Sequence, residues 1–415
     1  MGEPAAATAL VEASPLDRVS VVVPAGGAIE AVLRARPLLP FSEPVLRFAA
    51  DLGRALRQDR EARAFAEIVA LSYWLRPGNL AALRQRFEGA HATAVRLPRG
   101  TALHIAPSNV DTIFVYSLLI SMLAGNVNVV RISSRAGDQA NALMTLLQRT
   151  LAEADAAVRA RLAIVRYEHD AAITDALSAR VDLRIVWGGD RTVELIRASP
   201  IAPGAVDLAF PDKLSLAAID AAAWLAAADK DAIARRFAHD GLGFGQMACS
   251  SPKSLVWRGS EETADAASAD FWPRVEAAAR GGAFEWADAH ATAKLVAEQS
   301  LAIDAPVAIL ASASNRVRAV RGALAEVNVP SGAGNGFFRE ARVDALDDLL
   351  SVARPNWQTI ASYGIPAADW AVALAQAVPH GIARIVPIGT ALDFDVVWDG
   401  RDLLTDMTRL VSVSC

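Results

Sequence analysis

TALHIAPSNVDTIFVYSLLISMLAGNVNVVRI, residues 101–132, reads as a short apolar strand, a helix and a second apolar strand. The strands fall at residues 102–106 and 128–132, and the helix at 111–123, with Asn109 or Asp111 placed to cap it. The alternation continues with a helix at 138–152, a strand at 163–166, a helix at 171–177 and a strand at 183–187. Gly188-Gly189-Asp190-Arg191-Thr192 then leads into a helix through Ala198. Strands alternating with helices specify right-handed βαβ units and a parallel sheet covered on both faces, so an α/β fold is expected. Residues 113–130 carry no charge over 18 positions, close to the ~20 apolar residues of a membrane span. Gly125-Asn126 interrupts that run and Ser117, Ser121 and Asn128 lie within it, so a helix stopping at Gly125 before a buried strand is expected instead.

Outward from this stretch, 415 residues suggest two or three domains at ~150 residues each. With 53% hydrophobic and 21% charged residues, the chain can bury a large core. A formal net charge of -5 argues against nucleic acid as the main partner, because phosphate binding needs a basic face. Two cysteines exclude a disulfide scaffold and fit a reducing compartment. Residues 1–15 carry Glu3 and Glu12 without a basic flank, so no signal peptide is expected, and the location expected is cytoplasmic.

Residues 1–100 are expected to form an N-terminal layer, with a strand at 21–23 and helices at 43–57 and 60–75. Pro77-Gly78 and Pro98-Arg99-Gly100 read as turns. A dinucleotide-binding domain is expected over 101–231, a catalytic domain over 232–387, and a C-terminal return with a β tail over 388–415. Within the catalytic domain, Pro273 should kink or split a helix at 264–279.

Four features carry chemistry. Gly245-Gln246-Met247-Ala248-Cys249-Ser250-Ser251-Pro252-Lys253 places a thiol among small residues, where a bulky carbonyl substrate can approach it. Taken alone, a lone cysteine reads first as a small buried hydrophobe. Asn109 falls at the carboxyl end of a strand, where open parallel sheets bind ligands, and its amide can donate to a developing oxyanion; a plain helix cap accounts for it as well. Gly188-Gly189 with Thr192 marks a strand-to-helix junction at which a phosphate can approach the backbone, although a tight turn alone explains it. Arg131 and Ser133 lie just past a strand end, where an Arg can grip the 2′-phosphate of NADP and a Ser can bond ribose or phosphate oxygens; a solvated loop charge is the alternative. No His, Cys and Asp cluster has metal-ligand spacing, so no metal is expected.

On these residues the chain resembles the aldehyde dehydrogenase superfamily, and within it the LuxC-type acyl-CoA reductases, fatty-acid reductases best known from luminous bacteria. The resemblance lies in residues 104–110 (HIAPSNV), 124–135 (AGNVNVVRISSR), 248–252 (ACSSP), 384–389 (RIVPIG) and 397–400 (VWDG), ordered along the chain from about residue 100 onward. It implies an aldehyde-dehydrogenase-like fold, with Cys249 as nucleophile and Asn109 as oxyanion donor. It also implies that Gly125-Asn126 forms the superfamily's Ala-Gly-Asn turn, that Arg131 stands where the superfamily usually has a ribose-contacting Lys, and that Gly189 lies under the cofactor phosphates. Two departures stand out. The superfamily usually spaces Gly-Gln-x-Cys, whereas Gln246 here precedes Cys249 by one residue more. The water-activating Glu of oxidative members has no counterpart in Phe210-Pro211-Asp212-Lys213-Leu214-Ser215. Hydrolysis of an acyl-enzyme needs an activated water, whereas reductive release needs only hydride.

The expected activity is therefore NADPH-dependent reduction (NADH being the other cofactor) of a long-chain fatty acyl-CoA or acyl-protein thioester to the aldehyde. The route runs through S-acyl Cys249, with its thiol pKa lowered by nearby donors and with Phe244, Met247 and Trp257 lining an acyl tunnel. A homo-oligomer is expected from the resemblance, because the β tail of relatives adds to a neighbour's sheet. The alternatives are an acyl-phosphate reductase resembling glutamyl-phosphate reductase, ordinary aldehyde oxidation, and a non-catalytic scaffold on the same fold.

Overall fold

In the computed structural model, which describes residues 14–90, 95–106, 112–133, 137–282, 284, 286–310, 314–325 and 333–413, the apolar alternation becomes a six-stranded sheet. Its strands are β1 (Ser20–Val23), β3 (Thr101–Ile105), β4 (Val127–Arg131), β5 (Leu162–Arg166), β6 (Leu183–Trp187) and β7 (Val206–Phe210), after β2 (Val95–Pro98) has formed a separate pair described below. Their order is β1-β5-β4-β3-β6-β7, parallel throughout except for β1, which runs antiparallel to β5. The reversal of order on either side of β3 is the arrangement at which open α/β sheets bind ligands. β3 and β6 are buried along their whole length, which is why they read as continuous apolar runs rather than alternating ones. The helix Ile113–Leu123 is buried at every position, so the charge-free run is a core helix, and no helix among the described residues is long and apolar enough to cross a membrane.

The turn after that helix needs glycine. Gly125 has φ +89°, and a β-carbon there would lie 2.2 Å from the Leu38 carbonyl oxygen. The side chain of Asn126 then accepts from the Gly100 amide at 3.1 Å and donates to the Met407 carbonyl at 3.0 Å, tying strand, helix and chain terminus together. Beneath the sheet lies a polar chain. Trp187 Nε1 donates to Ser117 Oγ at 3.0 Å, Ser117 Oγ lies 2.8 Å from His104 Nδ1, and His104 Nε2 lies 3.1 Å from Asn128 Oδ1. Asn128 spends its amide nitrogen on the Asn126 carbonyl, so its oxygen is an acceptor and His104 carries its proton on Nε2.

The second sheet holds β8 (Leu214–Asp220), β9 (Pro252–Arg258), β10 (Ala308–Ile309), β11 (Arg318–Arg321), β12 (Phe337–Val343), β13 (Trp357–Tyr363) and β14 (Arg384–Pro387). Their order is β10-β11-β12-β9-β8-β13-β14, and only β10 is antiparallel. One face packs Trp224, Phe237, Trp257, Phe271 and Phe338, with ring contacts such as Trp224 on Phe271 at 4.9 Å. The other face is covered by Leu346, Leu349, Leu350 and Trp370. A two-residue hairpin follows, β15 (Val397–Trp398) with β16 (Arg401–Asp402), and Asp399 and Gly400 between them both have positive φ, as a type I′ turn requires. Finally β17 (Thr408–Val411) pairs antiparallel with β2.

The chain divides into two compact units, residues 1–211 with 403–415, and residues 212–402. The boundary expected at 231/232 therefore falls some twenty residues earlier. β8 pairs with β9 and β13, and the short break at Pro211-Asp212-Lys213 separates two apolar strands that read as one block. Residues 1–100 belong to the same unit as the first sheet. Two punctuation marks also differ from expectation. Pro77 opens the helix Pro77–Ala90, where a missing amide hydrogen costs nothing, and Pro273 lies inside the unbroken helix Glu261–Gly281, whose neighbours Phe271, Trp272 and Val275 are core residues.

Burial lowers the His104 pKa to about 4. An unfolded His titrates near ~6.5, so the unfolded chain gains the extra proton between those values and stability falls with pH, by up to about 3 kcal/mol at the acid end. Urea denaturation at pH 7 and pH 5 should show this loss in the parent and not in His104→Leu; equal pH dependence in both would remove His104 as its source.

Candidate active site

The helix Lys230–Leu242 ends in Gly-Phe-Gly-Gln, and Phe244, Gly245 and Gln246 adopt φ of +55°, +58° and +65° in succession. Left-handed backbone costs a side-chain-bearing residue about 1–2 kcal/mol, so this turn needs an external hold. Gln246 supplies it. Fully buried, it donates from Nε2 to the Pro252 carbonyl at 2.9 Å and the Phe337 carbonyl at 3.1 Å, and accepts from the Gly336 amide at 2.9 Å. The Gly245 carbonyl accepts from the Asn335 amide at 2.9 Å. The extra residue between Gln246 and Cys249 thus belongs to a turn clamped onto the start of β9 and β12.

Cys249 sits at the end of this turn, half-buried. Its carbonyl accepts from Ser215 Oγ at 2.7 Å, and the same hydroxyl oxygen accepts from the Thr359 amide at 3.1 Å. Its sulfur lies 3.2 Å from Gln358 Nε2, which also donates to Asp399 Oδ1 at 2.5 Å. Thr359 Oγ1 donates to Gln358 Oε1 at 3.3 Å and accepts from Arg384 Nε at 3.0 Å. The Arg384 guanidinium lies 5.0 Å from the centre of the Trp398 ring and donates to the Ala391 carbonyl. Asp240 holds the same loop from the other side, accepting from the Gly389 amide at 2.6 Å and the Ala391 amide at 3.1 Å.

Electrostatics oppose a resting thiolate, contrary to the lowered pKa expected from the sequence. Burial, then the charge of Asp399, push the Cys249 thiol up to about 11, against the opposing pull of the Gln358 N–H and Arg384. Burial also raises the Asp399 carboxyl, raises Asp240 to about 7 and lowers the Lys253 amine to about 8. The sulfur is therefore held as a thiol at neutral pH.

The other residues singled out from the sequence divide. Asn109 lies outside the described residues. Arg131 ends β4 half-buried, with its guanidinium 5.4 Å from the Tyr167 ring centre and its Nε without a hydrogen-bond partner among the described residues. Ser133 follows it, half-buried. Gly188 and Gly189 follow β6, Gly189 as the cap of the helix Asp190–Arg197, and a β-carbon on Gly188 would lie 3.0 Å from Thr192 Cγ2. Thr192 is exposed. β4 and β6 flank β3, so these residues gather at the carboxyl ends of the strands around the order reversal, all in the first unit, while Cys249 belongs to the second. A bare glycine turn capping a helix and an orphaned guanidinium nitrogen fit a dinucleotide phosphate. Trp257 is a fully buried core residue rather than a tunnel wall, whereas Met247 is 55% exposed.

Gln358, Thr359, Arg384 and Asp399 are the site residues that the sequence did not single out for a role. Gln358 lies in the strand Trp357–Tyr363 beside Thr359 and is 2% exposed, and no local sequence pattern marks it. Asp399-Gly400 carries the strongest short hairpin signal a sequence offers.

The profile of the family described as "Acyl-CoA reductase (LuxC)" matches residues 78–410. Among curated proteins, a "Long-chain acyl-protein thioester reductase" of Aliivibrio fischeri is 31% identical over 167 residues, 39% of this chain and 33% of that protein. A "Long-chain acyl-protein thioester reductase 2" of Photobacterium leiognathi is 28% identical over 166 residues, 39% of this chain and 33% of its own length. The chain thus matches about a third of the length of these relatives. Among solved structures, an NAD-dependent aldehyde dehydrogenase from Sinorhizobium meliloti superposes with a TM-score of 0.63 at 16% identity, over 86% of this chain and 78% of that one. A lactaldehyde dehydrogenase superposes with 0.64 at 14% identity, over 93% and 89%. The fold is that of the aldehyde dehydrogenases.

Replacing Gln246 by Ala should lower stability by about 3 kcal/mol or more, because two buried carbonyls and one amide lose their partner together. A shift below about 1 kcal/mol in urea denaturation would mean the turn holds itself.

Proposed function

The chain belongs to the acyl-CoA reductase (LuxC) family, and on that premise we propose that it reduces a long-chain acyl-CoA or acyl-protein thioester to the aldehyde, with Cys249 as nucleophile. What carries the reading is Cys249 itself: a half-buried residue on a turn that a buried amide holds in left-handed conformation, with its sulfur accepting a hydrogen bond from a side-chain amide. A structural cysteine needs none of these.

In the proposed sequence the Cys249 thiol loses its proton and the thiolate attacks the thioester carbonyl. The new S–C bond forms, the old one breaks, and the leaving thiolate takes up a proton. Asn109 donates to the carbonyl oxygen as it gains charge. When bound, the reduced nicotinamide supplies the hydride that takes the S-acyl carbon to the level of a thiohemiacetal. The oxygen lone pair then re-forms the carbonyl, the aldehyde leaves, and the electron pair of the S–C bond returns to Cys249. No carboxylate is needed to activate water, in keeping with the absence of Glu from Phe210-Pro211-Asp212-Lys213-Leu214-Ser215. Gly188, Gly189 and Thr192 would hold the cofactor phosphates. Arg131 and Ser133 would take the adenosine ribose and its 2′-phosphate, which favours NADPH over NADH. The likeness to the acyl-protein thioester reductases of Aliivibrio and Photobacterium supports a long-chain acyl-protein donor beside acyl-CoA.

Incubated with a long-chain acyl-CoA and no reductant, the parent should gain the mass of one acyl group, and NADPH should then release aldehyde. Cys249→Ala should do neither; aldehyde formed by that variant would refute the covalent route. Asn109→Ala should lower kcat by about 10²–10³-fold with KM little changed, and a change confined to KM would remove its oxyanion role.

A further inference from the structure

Gln358 Nε2 has two hydrogens, and its contacts engage both, one with the Asp399 carboxylate at 2.5 Å and one with the Cys249 sulfur at 3.2 Å. The other end of the amide is engaged by the Thr359 hydroxyl, itself held by Arg384. Turning the amide over would set its oxygen against the Asp399 carboxylate, acceptor facing acceptor, so a single orientation persists. The carboxylate is in turn fixed by the type I′ hairpin between β15 and β16.

We propose that Gln358 is a catalytic residue, whose amide supports negative charge on the Cys249 sulfur as it attacks the thioester and again as it leaves the thiohemiacetal, with Asp399 and Thr359 as positioning residues that aim it. This rests on the reductive reading of the site. The sulfur is charged only at those two stages and neutral as a thiol or an S-acyl group. A donor aimed at it therefore strengthens its bond where charge appears, which is what acceleration requires. Asp399 acts in two opposed ways: its carboxylate orients the donor, while its charge resists the thiolate. Arg384 on β14 favours the thiolate from the other side. Lys213 and Arg401 face Asp399, and the Lys253 amine on β9 interacts with the sulfur charge.

The experiment is the pH dependence of Cys249 alkylation by iodoacetamide in the full chain, followed by the mass of the Cys249 peptide after digestion, which separates it from Cys415 and uses neither substrate nor cofactor. Gln358→Met keeps the shape and removes the donor. Asp399→Asn keeps an oxygen acceptor for the amide, and keeps a residue that tolerates the turn, while removing the charge. At pH 8, below the thiol pKa, the rate follows the thiolate fraction, tempered by falling nucleophilicity. A shift of one unit in the thiol pKa thus changes it about threefold. Gln358→Met should alkylate about threefold more slowly and Asp399→Asn about threefold faster. Opposed shifts support the proposal, since loosening of the fold would move both variants in the same direction. Any other pair of results overturns it. Because labelling is independent of turnover, a parent that labels as expected but forms no aldehyde would defeat the reductase reading and leave the aim of Gln358 on the sulfur established.

Discussion

Three consecutive left-handed residues cannot stand unsupported, and the buried amide of Gln246 is what supports them. It substitutes for the regular hydrogen bonds that the helix Lys230–Leu242 and β9 would otherwise extend across the gap. The placing of the Cys249 sulfur follows from that substitution. The chain reverses within four residues, Cys249 stops at the head of β9, and its carbonyl meets Ser215 on β8. Ser215 accepts from the Thr359 amide of β13, so three strands fix one cysteine. The second sheet is thus a platform for a single atom, and the aromatic layer of Trp224, Phe237, Phe271 and Phe338 beneath it makes that platform stiff.

The charges around the sulfur are balanced rather than uniformly favourable. Burial and Asp399 hold the proton on, while Gln358 and Arg384 pull toward the anion. A thiol kept protonated at rest resists oxidation and stray alkylation, because the thiolate is the reactive form. In the proposed reaction the charge must then be developed on attack, which places the burden on prearranged donors rather than on a resting ion.

Much of the fold was legible in the sequence because doubly covered parallel strands must be apolar along their length, and the spacing of those runs from residue 101 onward translated directly into β3 to β6. The unit boundary was not legible, since β7 and β8 are both apolar and only three residues lie between them. Nor was the role of Gln246, whose spacing from Cys249 departs from the usual motif and whose three buried partners only the fold brings together. Cys249 could be singled out because thiols are rare in this chain. Gln358 could not, because β13 and the hairpin carrying Asp399 are separated from the cysteine by about a hundred residues or more, and nothing local announces that they converge. Sequence periodicity reports which face of an element is buried; it does not report which distant side chain is waiting there.

β2 and the Asn126 side chain find their partners, β17 and the Met407 carbonyl, some three hundred residues further along the chain. During synthesis the whole second unit must emerge before the first can be closed. Until then the nascent first unit presents an unpaired ribbon, Val95 to Pro98, to solvent or to a chaperone. A ribosome that stalls short of Thr408 therefore releases a product with an open edge, in which most of the βαβ core is already made and only the last stitch is missing.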